Sequence, residues 1–334
     1  MAVSWAHIVE RATHGNARKW LARVGPVIAL VFVFTLFAIL RFDKFVTKAN
    51  IEIMMLQTAV VGTAAIGMTL IIVSGGIDLS VGSVIALCTV VVALLLKAGA
   101  PPFLAAIGGI AAGSTCGLLT GTLVTRLRLM PFIVTLGMMG TLRGVAKGLS
   151  GERPIYPSLE ECGPLAFLLK PLDTAHGWML FPPGVWMMLV LAGIVAAMLR
   201  YTRLGRHIFA IGSNEQTARL CGVDVERVKD IVYTVGATFA GIAALLQFSY
   251  LHGGDPTTAG GYELNIIAAV VIGGASLSGG EGTIIGSLIG AIIMTVVANG
   301  CTKMGMPNWV QEIVTGIIII AAVTLDKLRH RNET

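Results

Sequence analysis

Residues 53–98 read IMMLQTAVVGTAAIGMTLIIVSGGIDLSVGSVIALCTVVVALLLKA and contain two long apolar runs, 53–73 and 81–98. A short turn with two glycines and one carboxylate, that of Asp78, separates the runs. A helix needs about 20 mainly apolar residues to cross the hydrocarbon core of a bilayer, within a range of about 17–25. Both runs satisfy this length. The stretch therefore predicts two membrane-spanning helices joined by a tight turn.

The same pattern recurs along the whole chain. Several apolar runs begin at proline, as at Pro131, which the first turn of a helix tolerates because the missing N–H has no partner there. The sequence predicts an all-α polytopic membrane protein with ten spanning helices, at 25–41, 53–73, 81–98, 102–125, 130–149, 182–199, 231–251, 264–278, 282–300 and 309–325.

The composition excludes several other classes of protein. Of the 334 residues, 55% are hydrophobic and 13% are charged, and the mean hydropathy is +0.83. A soluble domain carries about 25% charged residues, so this chain has too little polar surface to cover a globule in water. A disordered chain would be polar, and a coiled coil would be rich in Glu and Lys. The five cysteines are scattered without a close pair, so no metal site is predicted.

The distribution of Lys and Arg predicts the orientation of the chain. No small-residue cleavage site follows the first run, so we interpret that run as an uncleaved span. With the N-terminus in the cytoplasm, most of the 24 Lys and Arg residues fall on the inner side, as is typical of cytoplasmic segments. This predicts a cytoplasmic segment at 1–24, a single transmembrane domain at 25–326 and a cytoplasmic tail at 327–334. Within the domain, 150–181 is an external loop and 200–230 is a basic cytoplasmic loop.

An internal repeat places two similar turns in the two halves of the chain. Residues 75–82 read GGIDLSVG and residues 273–280 read GGASLSGG, both of the form GGxxLSxG. Paired segments interrupted by glycine indicate a transport site between repeats. The alternative is that Gly and Ser are simply the residues that short turns use. On the first interpretation, the candidate translocation-pathway residues are Asp78, Ser80, Ser276, Ser278 and, in the neighbouring span, Asn265.

Asp78 itself allows two interpretations. A carboxylate between apolar spans is costly and usually faces a partner or a water-filled cavity, where it can accept hydrogen bonds from substrate hydroxyls. It can equally cap the span that starts near Val81, because a helix N-terminus favours an anion. No relay of several acids lies at membrane depth in the sequence, which disfavours an ion-coupled transporter.

Two ladders of glycine predict close packing of helices. Glycines spaced by four lie on one helix face and let two backbones approach each other. We assign to packing Gly113, Gly117 and Gly121 in one span, and Gly282, Gly286 and Gly290 in another.

The inner loop contains signals for a short helix. Ser213 and Gln216 form a capping-box pattern, and Gly222 is placed as a C-terminal stop. The segment from Asn214 to Cys221 makes about two turns, too few for a helix that is stable alone in water. A second helix starts at Asp224 and continues into the span 231–251.

The short helix therefore needs something on which to dock. Its exposed face is expected to combine Asn214, Glu215 and Arg219 with Ala218 and Leu220. A helix that lies on a membrane surface would be more basic and more strongly segregated into two faces. The mixed composition favours a cytoplasmic protein partner.

Four stretches occur in this order along the chain: SGGIDLSVGS (74–83), PFIVTLGMMGTLRG (131–144), GSNEQTARLCGV (212–223) and TAGGYELNIIAAVVIGGASLSGGEGTIIGSLIGAII (258–293). Together they resemble the ribose-type permease family of bacterial ABC importers. Members of that family carry ribose, xylose, galactose and related monosaccharides, so the resemblance does not specify the sugar. The external loop 150–181 departs most from the family pattern.

The resemblance also implies partners. Such permeases work in pairs, as a homodimer or a related heterodimer, with a double-cassette cytoplasmic ATPase and a periplasmic sugar-binding protein. The family's ATPase-coupling region corresponds to Gly212–Val223, which assigns coupling to Gly212, Asn214, Glu215, Ala218, Arg219 and Gly222. ATP is then used by the partner, and this chain, which has no G-x-x-x-x-G-K-[ST] phosphate loop, is expected to bind no cofactor.

The sequence thus predicts the non-enzymatic permease subunit of a monosaccharide importer, embedded in the lipid of a bacterial inner membrane and without a nucleic-acid partner. One alternative is an ABC permease for a nucleoside or a branched amino acid. The other is a secondary transporter or channel that works alone, which the docking helix and the missing acid relay disfavour.

Overall fold

The computed structural model describes residues 24–171 and 179–331, which form an all-α membrane protein. Extended pairing among these residues is limited to one isolated antiparallel bridge, between Ile155 and Gly254. A helix occupies each of the ten predicted spans. The helices are α1 (Val24–Leu40), α2 (Phe42–Phe45), α3 (Lys48–Val73), α4 (Val81–Lys97), α5 (Pro102–Arg126), α6 (Pro131–Ser150), α7 (Leu159–Cys162), α8 (Pro183–Tyr201), α9 (Arg203–Ser213), α10 (Glu215–Leu220), α11 (Val225–Leu251), α12 (Tyr262–Ile272), α13 (Ile284–Lys303) and α14 (Asn308–Arg331), with a 3-10 helix at Gly163–Phe167.

The helices differ in how well they suit a bilayer. Within the described part of the chain, five of them, α3, α5, α8, α11 and α13, are long and apolar enough to cross a membrane. Four shorter stretches are also apolar: α1, α4, α12 and Asn308–Thr324 of α14. The helix α6 has 20 residues but belongs to neither group, because Arg143 and Lys147 interrupt its apolar sequence. This helix therefore brings charge into a predicted span.

Helix α3 forms the centre of the molecule. Every residue from Thr58 to Val73 is buried, and this includes several hydroxyl groups that need partners in an apolar interior. The Thr69 hydroxyl donates to Ser287 Oγ on α13 over 2.7 Å. Nearer the other end of α3, the amides of Asn50 and Asn299 exchange hydrogen bonds of 2.9 and 3.1 Å. Polar contacts thus join α3, in the first half of the chain, to α13, in the second half.

The first glycine ladder lies against α11. A Cβ atom built on Gly113 would lie 2.7 Å from the carbonyl oxygen of Ala237, and one on Gly117 would overlap the carbonyl oxygen of Tyr233. Gly121 lies one turn further along the same face of α5. Since Cβ atoms do not approach backbone atoms so closely, this contact between α5 and α11 requires glycine.

The predicted span 264–278 is not one continuous helix. Helix α12 has 11 residues, a length of about 16 Å, which is about half the thickness of the hydrocarbon core. The chain leaves α12 through Gly274, whose φ of 94° is left-handed. Ser276 and Ser278 therefore lie in a loop, because the Gly-rich sequence ends the helix that its apolar composition would otherwise continue.

The second glycine ladder needs a related correction. Helix α13 starts at Ile284, so Gly282, with φ 155°, precedes the helix and does not share its face. Gly286 and Gly290 do lie on α13. Cβ atoms built on them would overlap the carbonyl oxygens of Gly273 and Ala269, so these two glycines bring α13 against α12 and its C-terminal turn.

The inner loop contains a helix that the sequence analysis missed. Helix α9 begins after Thr202, whose hydroxyl oxygen accepts a hydrogen bond of 3.2 Å from the N–H of Gly205. Helix α11 starts at Val225, one residue after the predicted start at Asp224, and Asp224 caps it by accepting from the N–H of Arg227 over 3.1 Å. Two helices, α9 and α10, therefore lie between α8 and α11, the helix that contains the predicted span 231–251.

The predicted terminal segments are described only in part. The cytoplasmic segment 1–24 lies outside the described residues except for Val24. Helix α14 runs to Arg331, so most of the predicted tail 327–334 continues this helix, and residues 332–334 lie outside the described part.

Candidate functional site

The two repeated turns meet each other at the end of α9. We call this contact the glycine junction, and it consists of Gly75, Gly212, Gly279 and Gly280. The carbonyl oxygen of Val73, at the end of α3, accepts a hydrogen bond of 2.9 Å from the N–H of Gly280. A Cβ atom on Gly279 would lie 3.0 Å from the Cα atoms of both Gly75 and Gly212, and one on Gly212 would overlap the Val73 carbonyl. The residue that leads into the short inner helix is thus packed backbone to backbone against both repeats.

Each repeated turn is held by a side chain that accepts from the backbone two residues further on. Asp78 Oδ1 accepts from the N–H of Ser80 over 2.7 Å and from its hydroxyl over 2.6 Å. At the equivalent place in the second repeat, Ser276 Oγ accepts from the N–H of Ser278 over 3.2 Å. The Ser276 hydroxyl in turn donates to Asp326 Oδ2 over 3.2 Å. The shared sequence therefore encodes a shared local turn.

The geometry modifies the capping interpretation of Asp78. The N-cap residue of α4 is Ser80, and no side chain caps this helix. Asp78 instead orders the turn that precedes the helix, and only 3% of its surface is exposed. Ser80 and Ser276 are also buried, Ser278 is exposed and Asn265 is half-buried on α12. Of the five candidate pathway residues, Ser278 alone is exposed, and their role in transport stays a prediction.

Helix α10, at 215–220, is shorter than predicted and starts one residue later. Ser213 ends α9, so the capping box at Ser213 is wrong. The cap is Asn214, whose Oδ1 accepts from the N–H of Thr217 over 2.8 Å, because an amide caps a helix as well as a hydroxyl does. Gly222 ends the helix with a φ of 83°, as predicted. Ala218 does not belong to the exposed face, because it is buried against the core of the molecule.

Ion pairs fix α10 to the start of α11. Arg219 Nη1 lies 2.7 Å from Glu226 Oε1, and Lys229 Nζ lies 2.6 Å from Glu215 Oε2. The hydrogen bond to Glu226 raises the pKa of Arg219. The sequence analysis treated Arg219 as free for docking, whereas its charge already has partners within the chain. Leu220, in contrast, is 89% exposed and is the large apolar side chain that α10 leaves uncovered.

A cavity of about 580 Å³ lies between α10, the start of α11 and the turn that joins α5 to α6. Arg128, Arg219 and Lys229 line it together with Glu215 and Glu226. In the chain from 24 to 331, apart from the undescribed 172–178, no group of three His, Cys, Asp or Glu side chains is arranged to hold a metal ion.

A further polar cluster, which the sequence analysis did not single out, joins α6 to the connection between α11 and α12. Arg143 Nη1 donates to the carbonyl oxygens of Pro256 and Thr258, over 3.0 and 2.6 Å. Gln247 Nε2 donates to Thr258 Oγ1 over 2.8 Å. The sequence signal was the presence of Arg143 in a predicted span, where a charged residue is unusual and needs a partner.

These features define a polytopic helical membrane protein with a short exposed helix, α10, on one loop. The preceding helix, α9, packs its end against the two repeated turns of the transmembrane core. The chain belongs to the family described as "Branched-chain amino acid transport system / permease component", whose model matches residues 50–323. This match, together with the curated relatives that follow, confirms the resemblance to ribose-type permeases at the level of the family.

Curated relatives cover almost the whole chain. The ribose import permease protein RbsC of Escherichia coli K12 is 36% identical over 94% of this chain and 96% of its own length. The L-arabinose ABC transporter permease protein AraH of Azospirillum brasilense is 32% identical over 98% of this chain and 94% of its own length. The D-allose transport system permease protein AlsC of E. coli K12 is 33% identical over 92% of both chains. This chain is accordingly a multi-pass transport permease subunit and not an enzyme.

Proposed function

We propose that this chain is the permease subunit of an ABC importer that carries a monosaccharide across a bacterial inner membrane. The observation that carries the proposal is the set of relatives that match over more than nine-tenths of the chain, whose names give ribose, L-arabinose and D-allose as substrates. The helical architecture agrees with this role, because the polar groups of the backbone are satisfied within helices.

The proposed topology has ten crossings with both termini in the cytoplasm, within one transmembrane domain at 25–326. Helices α9 and α10 then lie on the inner side, with the external loop 150–181 facing the periplasm. The five Lys and Arg residues of 203–229 agree with this orientation. A periplasmic sugar-binding protein docks on the external side, and a second permease copy completes the pathway.

Coupling to ATP hydrolysis proceeds through α10. A separate cytoplasmic ATPase with two cassettes binds and hydrolyses ATP and docks on the exposed face of this helix. Ala218 and the ion pairs of Glu215 and Arg219 fix α10 to the rest of the chain, so a displacement of α10 is passed on to its neighbours. Gly212 connects α9 and α10 to the glycine junction, which joins the ends of α3 and α12. Movement of the cassettes can thereby reposition both repeated turns.

Uptake of labelled sugars tests the proposed function. The chain is co-expressed with an ATPase and a periplasmic sugar-binding protein from its own source, in cells that lack sugar importers of this class. We expect ATP-dependent uptake of ribose, arabinose or allose. An ATPase variant that binds ATP without hydrolysing it is the control and should abolish uptake. Uptake that survives this control would point to a transporter that works alone.

The same assay decides between sugars and the alternative substrates. The description of the family model names branched-chain amino acids, so labelled leucine and a labelled nucleoside belong in the panel. Uptake of either in preference to every sugar would replace the monosaccharide as the substrate.

Leu220→Asp tests the coupling surface. Because Leu220 is 89% exposed, its replacement leaves folding within about 0.5 kcal/mol of the wild type. We expect binding of the ATPase to weaken at least tenfold, equivalent to about 1.4 kcal/mol. The matched control is Leu159→Asp, a leucine that is 70% exposed on the external loop. Equal ATPase binding by both variants would show that Leu220 is not part of the coupling surface.

A further inference from the structure

The connection between α11 and α12, residues 252–261, enters the region of the spanning helices. It begins at the external loop, where Gly254 pairs with Ile155 through two backbone hydrogen bonds of 2.8 Å. Further along, it is held by Arg143 and by Gln247, which both lie inside predicted spans. It ends against the first turn of α4, because a Cβ atom on Gly82 would lie 2.5 Å from the carbonyl oxygen of Ala259. The connection thus re-enters the membrane region as non-helical chain.

Such backbone is tolerated at membrane depth only where protein buries it or where it lines a water-filled cavity. Arg143 satisfies two carbonyl groups of the connection, but one side of the connection is not covered by the chain. Thr257, Gly260 and Gly261 are exposed, and so is Leu264 in the first turn of α12. Contact of this side with lipid would leave polar backbone groups in hydrocarbon. The exposed side is therefore expected to face water or protein and not lipid.

Two carboxylates, those of Asp255 and Glu263, lie next to this exposed backbone. The Arg143 guanidinium interacts electrostatically with Glu263 and Asp255. Asp255 Oδ1 is occupied by the N–H and the hydroxyl of Thr257, over 2.8 and 2.7 Å. Glu263 Oε1 accepts from the N–H of Gly261 over 3.2 Å, whereas the buried Oε2 atom has no hydrogen-bond partner. Oε2 lies against Gly82, at the N-terminus of α4. A buried acceptor of this kind normally has a donor, which water or a ligand can supply.

We propose that residues 252–261 and the start of α12 line the aqueous pathway of the permease, and that Glu263 accepts hydrogen bonds from the hydroxyl groups of the transported sugar. Arg143 is a positioning residue, which holds the backbone of the connection and balances the carboxylate. The assignment of a sugar as ligand rests on the proposed function, whereas the assignment of the segment to water does not.

Cysteine labelling tests the exposure to water. Of the five native cysteines, only Cys221 is exposed, so Cys221→Ser provides the background. Gly260 suits substitution, because a Cβ atom there meets nothing closer than the Thr257 carbonyl oxygen at 3.7 Å. We expect Gly260→Cys to react with a charged methanethiosulfonate reagent at least tenfold faster than Val190→Cys. Val190, on the apolar helix α8, is 59% exposed and serves as the lipid-facing control.

Two results of this experiment would overturn the assignment. If Gly260→Cys reacts with an uncharged maleimide but not with the charged reagent, like Val190→Cys, the connection does not face water. If Gly260→Cys resists the charged reagent and an oxidant links it into disulfide dimers, its exposed side is a dry contact with a second copy. Thr257→Cys is labelled in parallel, so that poor expression of one variant still leaves a result.

The role of Glu263 is tested separately by uptake. Glu263→Gln keeps an oxygen for the N–H of Gly261 and removes the charge. We expect the apparent KM for the sugar to rise at least tenfold with normal expression, whereas Glu160→Gln, on the exposed external loop, leaves it unchanged. Wild-type kinetics for Glu263→Gln would show that this carboxylate does not bind the sugar. If the wild type itself carries no sugar, the proposed function fails, while the labelling still decides whether the segment lies in water.

Discussion

At the scale of single residues, Asp78 shows how a carboxylate that is costly to bury can stabilise a local turn. Its carboxylate is buried but is shared between the N–H and the hydroxyl of one residue, Ser80. The second repeat makes the equivalent turn with a neutral serine, Ser276. The turn therefore needs an acceptor at this position and does not need a charge.

This comparison predicts the behaviour of two variants at Asp78. Asp78→Asn keeps one acceptor oxygen for the Ser80 turn, so we expect normal expression and most of the wild-type uptake. Asp78→Ala leaves a buried N–H and a buried hydroxyl without a partner, which costs about 1–3 kcal/mol and should lower expression. Uptake and membrane expression are measured for both variants. Normal expression with lost uptake in Asp78→Asn would instead place the charge on the transport pathway.

Gly212 is a second single residue on which the structure depends, because one added carbon would disturb the glycine junction. A Cβ atom there would overlap the Val73 carbonyl and lie 2.5 Å from the nitrogen of Gly280. We expect Gly212→Ala to reach the membrane and bind the ATPase but to lose most of its ATP-driven uptake. Gly193→Ala is the control, since nothing lies within 4 Å of a Cβ atom on Gly193. Full uptake by Gly212→Ala would show that coupling does not pass through this contact.

At the scale of helices, α12 and α13 depend on two glycines. Cβ atoms on Gly286 and Gly290 would overlap carbonyl oxygens of the α12 segment, and four added carbons cannot fit there. Gly286→Leu is therefore expected to reduce the amount of folded protein in the membrane without changing sugar preference. Gly193→Leu, on the open face of α8, should express normally. A folded Gly286→Leu protein with a changed sugar preference would place this helix face on the pathway.

Sequence length and apolar composition were sufficient for most of these helices. The bounds of α4, α5 and α6 differ from the predicted spans by no more than about two residues, since proline or a polar turn stands at their ends. The same criterion failed at α12, because the apolar residues continue past Ile272 although Gly273 and Gly274 already end the helix. Mean hydropathy contains no information on the position at which glycine ends a helix.

The candidate site was less accessible to sequence reasoning. The short inner helix and its stop at Gly222 could be predicted, because caps and left-handed glycines are local signals. The glycine junction and the contact of Arg143 with Thr258 could not, because they join residues that are far apart in the chain. Likewise, the sequence does not show that Ala218 faces inward while Leu220 is exposed.

At the scale of the whole molecule, the proposed topology depends on the position of positive charge. Arg203, Arg206, Arg219, Arg227 and Lys229 all belong to the segment that carries α9 and α10. Positive residues near span ends remain preferentially in the cytoplasm. An orientation with this segment outside would place all five on the wrong side and would remove α10 from any cytoplasmic ATPase.

The orientation predicts which vesicles expose Cys221 to a membrane-impermeant maleimide. Because Cys221 is exposed and the other four cysteines are buried, wild-type protein should be labelled in inside-out vesicles and protected in right-side-out ones. Glu160→Cys in the Cys221→Ser background should show the reverse, since Glu160 is exposed on the external loop. An odd number of crossings lies between the two positions, so they must label from opposite sides in any orientation with this span count. Labelling of both from one side would contradict the number of spans, and an exchange of the two patterns would contradict the cytoplasmic placement of α10.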